Sequence, residues 1–244
     1  MLPPIDLGYI AEQLDELGEE LCARGEELDP PPETLLLALR RMIEVLQTAD
    51  GAGAADFGHQ IQGLTGSDPE LILSYGIQLL TQLAGTAERM DLPQHAQALE
   101  RLTLPLSLWM LRRGCELSYP EPVVNALAHL ANHLHHAESL IELYGLMNEI
   151  LESIGLERAL ASESGQSNRP CHVLLINRAI VATRTRQPEL MDSAFRSIAD
   201  YLPDEAPAFF REGMSQIEGL DYPAAARTVM EHYFTAWCTG QRLH

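Results

Sequence analysis

No lysine occurs anywhere in this chain; all 16 of its basic residues are arginine. That absence removes several chemistries at once. Nucleotide loops of the G-x-x-x-x-G-K-[ST] type need a lysine, and so does the strand lysine of protein kinases. Schiff-base catalysis and pyridoxal-phosphate anchoring need one as well. Aromatic residues are scarce at 6%, and no stretch approaches 18 consecutive apolar residues. A helix that spans a bilayer requires about that length, so no membrane partner is expected. The N-terminal Met1-Leu2-Pro3-Pro4-Ile5-Asp6 lacks the basic start and apolar run of a signal peptide, which makes the cytoplasm the expected location. The four cysteines, Cys22, Cys115, Cys171 and Cys238, form no C-x-x-C pair. A disulfide framework or zinc ribbon is not implied, and the thiols read as small buried hydrophobes in a reducing compartment.

Positive charge is also in short supply. Thirty-five acidic residues against 16 basic ones leave a formal net charge of −19. Nucleic acid and anionic lipid bind by having their phosphates neutralised, so neither is an expected partner. A basic protein or peptide segment suits this surface better.

What is abundant is Leu and Ala at helical spacing, both strong helix formers. In the first segment Ile10, Leu14, Leu17 and Leu21 follow at steps of four, three and four and gather on one stripe. The run Asp29-Pro30-Pro31-Pro32 interrupts, and Leu35, Leu36, Leu39, Met42, Ile43 and Leu46 resume the period. Residues 1–50 therefore predict an acidic antiparallel hairpin, whose leucine stripe could also join two copies as a homodimer. Residues 51–66, with Gly51, Gly53, Gly58 and Gly63, read as a Gly/Ala-rich linker.

From residue 67 to 244 the pattern is helical hairpins again. Ser67-Asp68-Pro69-Glu70 is a helix start with the residues of a capping box, and Leu71, Ile72, Tyr75, Leu79, Leu80 and Leu83 continue the period. One helix is predicted from Pro93 to about Arg113, another from Val123 to about Ala137, and a fourth from about Glu138 to Ile154; 155–168 reads as a polar loop. Four more helices are predicted to start at Pro170, Pro188, Asp204 and Pro223. Leu175, Ile176 and Ala179 match Phe209, Phe210 and Gly213 at an offset of 34, and Met191, Ala194 and Phe195 match Ala226, Val229 and Met230 at 35. On these residues the chain resembles the tetratricopeptide-like family of helical repeats, mainly over 168–238. Phe209, Gly213 and Ala225 fall where that family places a large apolar residue and two small ones, whereas Val229 replaces its later aromatic and Trp237 its closing proline. The resemblance implies an all-α fold of antiparallel hairpins, stacked as an irregular array or right-handed superhelix.

Candidate ligands concentrate in one place. On a helix over 123–137, Asn125, His129, Asn132, His133 and His136 share one sector, opposite Val123, Leu127, Leu130, Ala131 and Leu134. Three readings stay open. The stripe is solvated or caps neighbouring helices; it lines a groove and binds a peptide; or His129, His133 and His136 hold a divalent metal. Leu130 stands where an H-E-x-x-H metalloprotease has its general base. Cys171 precedes His172, but adjacent helical side chains diverge, so the two cannot act as nucleophile and base. No G-x-S-x-G elbow occurs. These observations predict a non-enzymatic, cofactor-free scaffold that binds a protein or peptide, with a metal-binding enzyme or sensor and a structural homodimer as the alternatives.

Overall fold

The computed structural model describes residues 2–25, 27–51, 56–163 and 169–239, and among these every regular element is helical. They gather into two units: Leu2–Leu127 with Glu149–Gly155, and Ala128–Asn148 with Leu156 onward. No helix among the described residues is long and apolar enough to cross a membrane.

In the first unit α1 (Leu7–Gly25) and α2 (Pro32–Asp50) pack as the expected hairpin. Ile10, Leu14 and Leu21 are buried there, because α1 also packs on α6 (Thr103–Leu111). Three of the four stripe residues are thus buried within the unit, and Leu17 is half-buried. The stretch expected as a linker is different from that expectation. Residues 52–55 lie outside the described residues, but Phe57–Thr65 forms α3, with Phe57 and Ile61 fully buried. Burial of those two side chains overrides the glycines that argued for a linker. Phe57 meets the edge of Trp109 at 5.6 Å, and Gly66, in the left-handed region at φ 72°, ends the helix.

α4 (Pro69–Arg89) packs on α2, α3, α5 (Pro93–Arg101) and α6. Asp68 occupies its N-cap, yet the side chain makes no capping bond. Its buried stripe runs through Leu73, Ile77, Leu80 and Leu83, whereas Leu71 and Tyr75, expected on it, are exposed. The cause is Gly76, where a Cβ would stand 2.8 Å from Met42 Sδ and 3.0 Å from Leu106. The close approach of three helices turns that face inward. The single helix expected over 93–113 is two helices, broken at Leu102. Pro105 has no N–H to offer Arg101, and its ring crowds that carbonyl. All residues of α6 from Thr103 to Met110 are buried, which makes it a central core helix. At its end Arg113 lies over the Trp109 ring, 3.5 Å from the centroid, and bonds Asp50 at 2.6 Å.

α7 (Glu121–His133) and α8 (Ala137–Ser153) contribute residues to both units. The second unit continues with α9 (Leu156–Glu163), α10 (Pro170–Thr185), α11 (Pro188–Tyr201), α12 (Ala206–Glu218), α13 (Ala224–Phe234) and a π-helical turn, Thr235–Thr239. α9 lies inside the expected polar loop; residues 164–168 of that loop are outside the described set. α10 packs on α11, α12 on α13, and α11 on α13. An aromatic cluster joins α11 to α12 and α13: Phe195 meets Phe209, Phe210 and Tyr233 edge-on at centroid distances of 5.8, 5.4 and 5.5 Å.

Among the described residues of this unit, two charged groups are buried. Glu163 accepts the Cys171 amide at 2.8 Å and the His172 amide at 3.3 Å, so a carboxylate from α9 caps the start of α10. Arg178 on α10 donates to Asn148 Oδ1 at 2.6 Å, Tyr144 Oη at 2.5 Å, Ser193 Oγ at 3.0 Å and Ser197 Oγ at 3.2 Å. Its guanidinium also lies over the Tyr144 ring at 4.6 Å. Burial lowers its affinity for the proton below the ordinary arginine value.

Two stability predictions follow from these interiors. Replacing Arg178 with Leu removes four hydrogen bonds and the contact with the Tyr144 ring, and should cost about 2–3 kcal/mol in urea unfolding; an unchanged midpoint would refute its role as a tie between α8, α10 and α11. Ser107 Oγ is buried and has no hydrogen-bond partner among the described residues. Ser107→Ala should therefore raise stability by up to about 1 kcal/mol, and a clear loss would show that the hydroxyl is satisfied after all.

Candidate functional site

Asn125, His129, Asn132 and His133 of the His/Asn stripe lie on α7, but His136 does not. α7 stops at His133, so His136 lies in the turn and starts α8 by accepting the Leu140 amide at 3.0 Å. The termination has a cause. The Arg184 guanidinium, reaching from α10, donates to the carbonyls of Ala131 and Leu134 and so satisfies the helix end. Its Nη2 is also 3.4 Å from His135 Nδ1. Asn125, Asn132, His133 and His136 are exposed and His129 is half-buried. The His129 and His133 rings stack at 4.0 Å with planes 26° apart, and His133 Nδ1–H donates to the His129 carbonyl at 2.8 Å. Stacked faces do not converge their nitrogens on one point. Among the described residues no group of three or more His, Cys, Asp or Glu is placed to hold a metal ion.

A cavity of this unit lies elsewhere, between α10 and α12, and none of those five residues lines it. Its volume is about 610 Å³, within the range of ligand sites. His172 and Glu205, at the starts of the two helices, meet through Nε2 and a carboxylate oxygen. Thr183 and Arg184 meet Tyr222 at the other end, where Tyr222 Oη donates to the Thr183 carbonyl at 3.2 Å. The helices therefore run parallel. At about 1.5 Å per residue, the span from His172 to Arg184 makes a groove about 18 Å long.

Its walls are Ile176 and Ile180 from α10, Phe209 and Gly213 from α12, with Ile217 and Met230 deeper. Ile180 is 42% exposed and Leu220 at the mouth 52%, a cost that unoccupied apolar surface carries in water. The groove exists because each wall is held by a different neighbour, α10 by α11 and α12 by α13. Gly213 lets α12 approach Met230 of α13 closely: a Cβ there would come within 2.6 Å of Met230 Cε.

Sequence reasoning placed Ile176, Phe209 and Gly213 at matched packing positions. It missed that Ile180 faces open space and that His172 meets Glu205. The parallel register of the two helices was readable from the offset of 34; the gap between them was not.

Adjacent Cys171 supplies no chemistry to the groove. Burial, with Glu163 hydrogen-bonded to it, pushes its thiol up to about 12, and burial does the same to Cys115. Raised values mean that the thiolate forms only near that pH, so both should resist iodoacetamide at pH 8 in the native protein. Peptide mapping should find alkylation confined to the half-buried Cys22 and Cys238; rapid labelling of Cys171 would refute the burial argument.

Compared with known proteins, the chain matches no family model, no curated protein and no solved structure.

Proposed function

We propose that this chain is a non-enzymatic binding module that takes an apolar-faced protein or peptide segment into the groove between α10 and α12. The observation that carries the reading is an apolar channel of about 610 Å³ rimmed by polar side chains. Nothing in its lining combines a nucleophile with a base; His172 is engaged with Glu205. The α10–α11 and α12–α13 hairpins, with Ile176 and Ala179 matched by Phe210 and Gly213, are in this reading two tetratricopeptide-like repeats. Four thiols, none in a disulfide, fit a reducing cytoplasm.

The test uses an environment-sensitive naphthalene sulfonate dye as probe. The full chain should bind it saturably. Ile180→Glu, at a position exposed enough to tolerate the change, should weaken binding about tenfold with an unaltered circular-dichroism spectrum. A dye affinity untouched by that substitution overturns the groove.

A further inference from the structure

We propose that the natural occupant of the α10–α12 groove is an amphipathic helix of about 12 residues that carries Arg or Lys beside its apolar stripe. The inference rests on the groove being a binding site and adds what fits it.

Length and wall chemistry argue for a helix. The middle of the groove is faced by Ile176, Ile180, Ala208, Phe209 and Gly213, and none of these offers a side-chain donor or acceptor. An extended peptide would leave its amides and carbonyls unpaired against such walls. A helix satisfies its own backbone and presents only side chains, at i, i+3, i+4 and i+7, to the two parallel walls.

Charge argues for a basic one. The two basic groups of the lining are committed: His172 to Glu205, and Arg184 to the end of α7. An anionic guest, whether acidic peptide or fatty carboxylate, meets no available cation. Glu212 stands on the rim and accepts only the Gln216 amide, at 2.9 Å; among the described residues it has no cationic partner. The chain as a whole is at −19, which raises the local concentration of a basic guest.

The experiment measures anisotropy of three labelled synthetic peptides with the full chain: a leucine-striped helix flanked by Arg, its Glu-flanked counterpart, and the Arg peptide broken by a central proline. The Arg helix should bind at least about tenfold tighter than either relative. Glu212→Gln should weaken it about three- to fivefold, the worth of one surface ion pair, while Glu218→Gln, outside the lining, should leave it unchanged. That contrast separates a local pairing from general attraction to an acidic protein. Equal binding of Arg and Glu peptides, equal binding of the proline peptide, equal effects of the two Gln substitutions, or no peptide binding at all overturns the proposal. Dye binding that is retained and sensitive to Ile180→Glu in those cases leaves the groove standing with a different guest; loss of dye binding removes the groove itself.

Discussion

The second unit turns on the aromatic cluster of Phe195, Phe209, Phe210 and Tyr233. Rings from α11, α12 and α13 interlock there, and Phe210 also stacks on Tyr233 at 5.2 Å. The cluster binds the two hairpins along their backs, through α11 and α13. Once the backs are fixed, α10 and α12 stand parallel with no packing demand to draw them together. Phe209 illustrates the division: one edge belongs to the cluster, and the other faces the groove. An open channel is the by-product of a well-packed rear wall.

Buried charge plays a complementary part. Glu163 and Arg178 are each surrounded by neutral partners, the first by amides at a helix start, the second by hydroxyls, a side-chain amide and an aromatic face. Such arrangements satisfy geometry more than they add net energy, because desolvation offsets much of the gain. Their effect is positional. They set where α10 begins and how it is rotated, and hence which of its residues reach the channel.

Much of the helix pattern was legible from residues alone, and the reasons differ by element. α10 and α11 begin where Pro170 and Pro188 supply a fixed φ at the first turn, a strong local signal. α3 and α9 were hidden in Gly- and Ser-rich text, because their helicity depends on burying Phe57 and Ile61, or on seating Glu163 against α10. Neither is a local property. The stripe of α4 was read through Leu71 and Tyr75 since both are large and apolar; only the neighbours of Gly76 show that the smallest residue marks the inner face. The end of α7 was decided by Arg184, distant in sequence. Interactions between remote segments, not propensity, account for each of these differences.

The enclosure of α6 has a consequence for how the first unit opens. A helix with every residue from Thr103 to Met110 buried has no solvent-facing side from which to fray. Its central amides should exchange for deuterium only when the surrounding helices separate together, and they would report the slowest cooperative opening of that unit.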